Sequence, residues 1–307
     1  MNKFAKVILN ATNCSVCPRN CNANRQTQLG FCKAPNEMKV AKIMVHEWEE
    51  PYLTNICSKT GPKGSGAIFF SGCNLRCVYC QNFQISRVVL GKTITPQNLV
   101  DIFKMFEEKN VCNINLVTPT HFVKEIIKAL SIYKPSLPII YNTSGYENEQ
   151  TIKALKGLVD IFLFDFKYYA PILAKEYSFA PDYPEICKKA LICAKKQVKN
   201  DVFVNGIMQK GIVVRYLLLP NTAKDGIEIL DFIYKNLGKN TFVSILNQYA
   251  PTPNVALHPI LKNRPKKLEY KLLISHAKKL NMPNVFIQDE DSSSSSFIPD
   301  FNVYCDF

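Results

Sequence analysis

No apolar run in this 307-residue chain reaches membrane-spanning length; the longest are broken by Asp160 and Arg215, whereas a spanning helix needs about 20 predominantly apolar residues. An export signal is also missing, because Phe4-Ala5-Lys6-Val7-Ile8-Leu9 is too short and too interrupted for a signal-peptide core. Without export, the twelve cysteines are not expected to form a disulfide framework. No internal repeat is visible. A phosphate-binding loop is absent too: Gly61-Pro62-Lys63-Gly64-Ser65-Gly66 precedes a strand rather than a helix. These absences leave a soluble, cytoplasmic chain, with no membrane partner, that holds one large domain and a small appendage.

The net charge of +13 suits nucleic acid or an acidic electron donor such as a flavodoxin or ferredoxin. Lys188, Lys189, Lys195, Lys196, Lys266, Lys267, Lys278 and Lys279 are spread among helical stretches without interleaved aromatics. Nucleic acid is therefore disfavoured, and a solvated basic surface is the default reading.

Seven of the cysteines fall into two clusters, which is how metal ligands are distributed. Cys57, Cys112, Cys187, Cys193 and Cys305 are scattered and read mostly as small buried hydrophobes. Cys73, Cys77 and Cys80, spaced C-x3-C-x2-C, follow the apolar strand Ala67-Ile68-Phe69-Phe70. Three thiolates can hold three corners of a cubane cluster and leave its fourth iron open, a mark of chemistry rather than scaffolding. The alternative is a zinc site completed by His121 or Cys112, although structural zinc usually pairs two C-x2-C knuckles.

From residue 65 strands alternate with helices, which argues for a parallel sheet. Strands are expected at Ala67–Ser71, Ile114–Thr118, Leu137–Asn142, Asp160–Phe166, Ile212–Leu219 and Thr241–Gln248. Helical spacing recurs in Leu99, Ile102, Phe103 and Phe106 behind a Thr95 cap, in Val123, Ile126, Ile127 and Leu130, and in Leu230, Ile233, Tyr234 and Leu237. About six βα units make a partial (β/α)6 barrel of TIM-like type, over 61–307. Residues 1–60 are a Cys-rich appendage too short for a core of its own. Ser292 to Ser296 reads as a polar surface loop, after which Phe297-Ile298-Pro299 suggests that the tail docks back.

Parallel barrels gather their chemistry at the carboxyl ends of the strands. Here those ends carry Cys73, then Thr118-Pro119-Thr120-His121, Asn142-Thr143-Ser144-Gly145, Asp165-Phe166-Lys167, and Asn247-Gln248-Tyr249. The plain readings are an Asp165–Lys167 rim ion pair, turn chemistry at 142–145, and an Arg215 that snorkels outward. If Arg215 points inward, it is an anion clamp. His46, His258 and His276 read as structural, and His276 shares a face with Leu273, Ala277 and Leu280. His121 stays a candidate because of its location.

The cysteine spacing, with Tyr79 before the last cysteine and Asn82 just after it, resembles the radical S-adenosylmethionine (SAM) superfamily. That resemblance implies a [4Fe–4S] cluster on Cys73, Cys77 and Cys80 that chelates SAM and cleaves it reductively. The resulting 5′-deoxyadenosyl radical abstracts hydrogen from a substrate. It also places Tyr79, Asn82, Thr118, Pro119, Thr120, Asn142, Thr143, Ser144, Asp165, Lys167 and Arg215 around the cofactor. Thr118-Pro119-Thr120 stands where relatives have Gly-Gly-Glu, so backbone carbonyls are expected to make those contacts. Asp165-Phe166-Lys167 matches the Asp-x-Lys element of glycyl-radical activating enzymes.

The longer stretches Cys77–Asn82, Asn113–Phe122, Tyr141–Tyr146, Asp160–Tyr168 and His46-Glu47-Trp48-Glu49-Glu50-Pro51 are similar to PflX-type proteins, homologues of pyruvate formate-lyase activating enzyme. A glycyl-radical enzyme is the partner this implies; the alternatives are radical modification of another peptide, small molecule or nucleic acid, and a non-catalytic iron–sulfur or zinc module. At the amino terminus Cys14, Cys17, Cys21 and Cys32 supply four soft ligands for zinc or a second iron–sulfur cluster, with Cys57 a possible substitute.

Overall fold

The computed structural model describes residues 1–54, 61–288 and 299–305. Cys57 and Ser292 to Ser296 lie outside the described residues.

Ten strands form the sheet: β1 (Met38–His46), β2 (Ser65–Phe70), β3 (Lys92–Ile94), β4 (Asn113–Val117), β5 (Ile139–Thr143), β6 (Ile161–Asp165), β7 (Val202–Val204), β8 (Ile207–Leu217), β9 (Phe242–Leu246) and β10 (Val285–Ile287). Seven of them run parallel in the order β2-β4-β5-β6-β8-β9-β10. The six strands expected from sequence are all among these, with β10 as a seventh. The result is a partial parallel barrel. On the other side of β2, β1 and β3 add antiparallel strands. Residues 38–46, inside the expected 1–60 appendage, thus belong to the main sheet.

The parallel strands are buried on both faces, which is why they read as continuous apolar runs. Phe70, Leu116, Tyr141, Phe164, Val214 and Ile245 face the helices and share the main core. The alternate residues face inward. Deep in the barrel Ile140, Ile161, Leu163, Met208 and Val213 close around Leu53. The chain after β1 therefore turns into the barrel and fills its base with the short helix Pro51–Thr54. Asn113 Nδ2 fixes this plug by donating to the Leu53 carbonyl at 2.7 Å. Fully burying Leu53 stabilises the plug by roughly 2 kcal/mol.

The helices follow the sequence periodicity. Pro96–Glu108 begins at Thr95, whose Oγ accepts from the Asn98 N–H at 3.1 Å in a capping box, and it buries Leu99, Ile102, Phe103 and Phe106. In Ala223–Leu237, however, the buried face runs through Ile229, Leu230, Ile233 and Leu237. Tyr234, expected on that face, is exposed; the stripe is centred one residue earlier, and the phenol sits at its wet edge. The helix Lys3–Asn10, capped by Asn2, packs on the helices Glu149–Ala154 and Val123–Ile132. Among the described residues no helix is long and apolar enough to cross a membrane.

Phe297 and Ile298, on which docking of the tail was expected, lie outside the described residues, but residues 300–304 run back to the sheet. Lys42 Nζ donates to the carbonyls of Asp300 and Val303, and the Ile43 N–H to that of Tyr304. Phe301 packs edge-on against Phe69, with ring centres 5.7 Å apart.

Candidate active site

The loop after β2 carries Cys73, Cys77 and Cys80 to the carboxyl end of the barrel. Gly72 opens it at φ +89°, where a Cβ would stand 2.7 Å from the Cys32 carbonyl. Each of the three sulfurs accepts hydrogen bonds. The N–H groups of Leu75 and Arg76 approach Cys73 Sγ at 3.4 Å, Ser178 Oγ donates to Cys77 Sγ at 3.0 Å, and Ser86 Oγ to Cys80 Sγ at 3.5 Å. Such donors stabilise thiolates and tune a cluster held by them. Burial pushes the Cys73 thiol up to about 12, and the neighbouring Cys77 and Cys80 add to this. The three groups therefore lie within electrostatic reach of one another.

Beside them is a cleft of about 240 Å³ that reaches Cys73, Cys77, Tyr79, Cys80, Asn82, Thr118, Asn142, Thr143, Ser144, Asp165, Lys167 and Arg215. Register explains the convergence. Asp165 pairs with Arg215 across β6 and β8, and Val117 with Asn142 across β4 and β5. Inward parity then delivers these side chains to one layer above the plug.

Arg215 points inward and ties that layer together. It donates to Asp165 Oδ1 at 3.0 Å, to Glu49 Oε2 at 3.1 Å and to Asn142 Oδ1 at 2.7 Å. Lys167 Nζ donates to Asp165 Oδ2 at 2.8 Å. Burial alone would raise the Asp165 carboxyl, but Lys167 and Arg215 hold it below the ordinary carboxylate range. Burial likewise disfavours the Lys167 charge, yet Asp165 and the nearby Cys77 hold its pKa above the usual lysine value. The expected rim ion pair thus exists, and it is one link in a wider network.

The site has members that sequence reasoning missed. Glu49 receives Arg215 and also Asn115 Nδ2 at 2.8 Å. His46 and Trp48 line the cleft with it, and His46 Nδ1 lies 3.6 Å from Glu49 Oε1. The signal was the acidic cluster directly after a strand, at 47–50. Glu50, next in the chain, is buried with neither carboxylate oxygen hydrogen-bonded; burial raises its pKa and Arg215 opposes the rise.

Other candidates lie elsewhere. Thr118, at φ +57°, lines the cleft, but Pro119 and Thr120 do not. Thr120 is buried behind the strand ends, where its Oγ and that of Thr143 each donate to Glu147 Oε1 at 2.5 Å. Burial pushes Glu147 up to about 7 against the pull of those hydroxyls. His121 also turns away: Nε2 meets the Ser71 carbonyl at 2.7 Å, and burial, with Arg25 nearby, lowers its pKa to about 3. Cys112 precedes β4, at the opposite end of the sheet from Cys73, and its Sγ contacts the Pro62 carbonyl. It cannot complete a zinc site with the loop cysteines. Tyr79 is buried, its hydroxyl 2.9 Å from that of Tyr168, which lies 2.7 Å from Ser178 Oγ.

The amino-terminal cysteines sit against the same loop. Arg19 donates to the carbonyls of Asn74, Ser178 and Phe179 at 2.8, 2.9 and 2.6 Å. Arg25 reaches Cys14 Sγ at 3.1 Å and the His121 carbonyl. Burial pushes Cys17 up to about 12, with Cys14 and Cys32 adding to the rise; Cys32 is raised by burial first and also feels Cys14 and Cys21. Among the described residues no three His, Cys, Asp or Glu side chains converge as ligands of a single metal ion.

The sequence profile of the Radical SAM superfamily matches residues 67–233, and the chain belongs to that superfamily. Membership brings a [4Fe–4S] cluster and SAM. Two proteins of Methanocaldococcus jannaschii are similar along most of the chain. Uncharacterized protein MJ0674 is 30% identical over 283 residues, covering 89% of this chain and 77% of that protein. Uncharacterized protein MJ0808 is 23% identical over 256 residues, covering 78% and 71%.

Among solved structures, SuiB of Streptococcus suis aligns with TM-score 0.50 and 13% identity over 71% of this chain. HydG, a maturase of the [FeFe]-hydrogenase, aligns with TM-score 0.50 and 13% identity over 70%. The matches cover 47% and 48% of those chains, so this chain spans about half their length. At such identity the likeness concerns the fold.

Proposed function

We propose that this chain is a PflX-type radical SAM enzyme, a homologue of pyruvate formate-lyase activating enzyme, that takes a hydrogen atom from a glycyl residue of a partner enzyme. The observation that carries the cofactor part is the set of three hydrogen-bonded sulfurs beside the Lys167–Asp165–Arg215 network. Cys73, Cys77 and Cys80 would hold the cluster; Thr118, Asn142, Ser144 and Lys167 line the space for SAM. When bound, the pair supplies an electron and a carbon-centred radical from the sulfonium. The protein's own part is to orient. Arg215 fixes the carboxylates of Asp165 and Glu49, and Lys167 lies within electrostatic reach of Cys77 and Cys80.

The substrate reading rests on space. Leu53 and its neighbours fill the barrel base, so a substrate must enter from the rim. At that rim a glycyl residue on an extended segment, having no side chain, makes the smallest steric demand. We further infer that Cys14, Cys17, Cys21 and Cys32 hold a second metal centre, supported by their mutual electrostatic contact and by Arg25 beside Cys14 and Cys32. The basic surface suits an acidic flavodoxin or ferredoxin as the electron source.

The test uses a glycyl-radical enzyme deuterated at its glycine α-carbon, mixed anaerobically with reduced protein and SAM. Deuterium should appear in 5′-deoxyadenosine, with a glycyl radical visible by paramagnetic resonance. Nucleoside formed without deuterium would remove the glycyl reading and leave SAM cleavage intact.

A further inference from the structure

A second cavity, of about 620 Å³, lies on the outside of the barrel. It forms where the amino-terminal helix Lys3–Asn10 crosses the helices Glu149–Ala154 and Tyr183–Gln197. No residue lines both this cavity and the cleft. Its volume is in the range of small-molecule sites, about 300–1,000 Å³.

The lining has three chemical parts. Phe4, Ile192 and Cys193 are its apolar members. Lys3, Lys153, Lys156, Lys189 and Lys196 surround them, five cations against the single carboxylate of Glu149. That carboxylate is taken by Lys153, 3.3 Å away. Among the described residues the other four lysines form no ion pair. These four lysines are exposed, and their excess of positive charge at the mouth of the cavity favours an anion there. The third part is Gln197. Its Nε2 donates to the Ile152 carbonyl at 3.0 Å, while its Oε1 is buried without a hydrogen-bond partner. A buried acceptor left so is unfavourable, and a ligand N–H or O–H would satisfy it.

One ligand class meets all three demands. We propose that this cavity binds a nucleoside phosphate. The base lies on Phe4 and Ile192, an amine or ribose hydroxyl donates to Gln197 Oε1, and the phosphates lie among Lys156, Lys189 and Lys196. A long polyanion would run along an extended track rather than fill one concavity, and would have no use for the buried acceptor.

The test is equilibrium binding of ADP to the full chain, purified anaerobically and kept saturated with SAM so that the barrel cleft is filled. Adenosine and inorganic phosphate are run as separate probes. The expected result is one saturable ADP site, with each fragment binding at least about tenfold more weakly. The exposed double variant Lys189→Gln/Lys196→Gln should weaken ADP about tenfold with its melting temperature unchanged, and Gln197→Leu should weaken it similarly. Lys156→Gln provides a milder version should the double variant be unstable.

Absence of saturable ADP binding at millimolar concentration overturns the proposal. So does ADP binding that SAM displaces or that the lysine variants leave untouched. Phosphate binding as tightly as ADP would dismiss the base subsite and with it the nucleoside. Because the two cavities share no residue, none of these outcomes bears on SAM cleavage.

Discussion

Two cysteine-rich segments meet in this protein and are built differently. The loop from Cys73 to Cys80 rises from a buried strand, offers its sulfurs to a cleft, and has hydrogen-bond donors on all three. The segment from Cys14 to Cys32 has no regular structure and is fastened to its surroundings by its own Arg19 and Arg25, which donate to the carbonyls of Asn74, Ser178, Phe179 and His121. Three cysteines beside a cavity would leave a metal corner for chemistry, whereas the four in the clasped coil would, on our proposal, close one. The same residue type therefore serves opposite ends, and what distinguishes them is what supports the sulfur.

The largest effect expected from this contrast is on turnover. Cys80→Ala should abolish 5′-deoxyadenosine formation, while Cys21→Ala should leave the cluster spectrum of the loop in place; product and iron are both read on anaerobic protein. Next is the wall behind the loop. Arg215→Ala leaves Asp165 to Lys167 but strips the buried Glu49 of its arginine, and should destabilise the fold by about 3 kcal/mol, measured by denaturant unfolding. The clasp of the head is worth less: Arg19→Ala loses three charge-assisted bonds to carbonyls and should cost about 2 kcal/mol, with the head released first in hydrogen exchange.

A pH dependence comes from Glu147, behind the strand ends. Its folded pKa is raised to about 7, so the folded state holds a proton that the unfolded state has released. Stability from this group is complete below about 4.5 and declines as pH rises toward about 7. Glu147→Gln should flatten that decline, which for the parent amounts to about 2–3 kcal/mol between pH 5 and 8. The smallest effect should come from Ser178→Ala, which removes the hydroxyl donor on Cys77 and should lower the cluster midpoint potential by tens of millivolts, on the order of 1 kcal/mol for one electron. An unchanged potential would mean that the hydroxyl does nothing for the loop sulfur.

Much of this was legible in the sequence where local pattern and burial agree. The six central strands and the Thr95-capped helix repeat their periodicity in the fold, because each buries its own apolar residues. The phasing of Cys73, Thr118, Asn142, Asp165 and Lys167 to one rim followed from strand order alone. Arg215 was ambiguous, since one step of register decides between cleft and helix layer. β1 was hidden because its Lys42 looks solvent-facing, yet the tail at Asp300 and Val303 supplies its acceptors from 258 and 261 residues away. The β7–β8 hairpin had a readable signal, Asn205-Gly206 with both φ positive, that the apolar pattern overshadowed. Thr120 and Glu147 were invisible as partners, because only the packed strand ends bring their side chains together.

The central claim is that an incomplete thiolate set in the barrel rim serves reductive SAM cleavage. Its most direct test loads the full chain with iron and sulfide anaerobically, reduces it with dithionite, adds SAM, and quantifies 5′-deoxyadenosine and methionine. Equal amounts of the two products, lost in Cys80→Ala, are the expected result. A fully loaded, reduced centre that binds SAM and releases no nucleoside would contradict it.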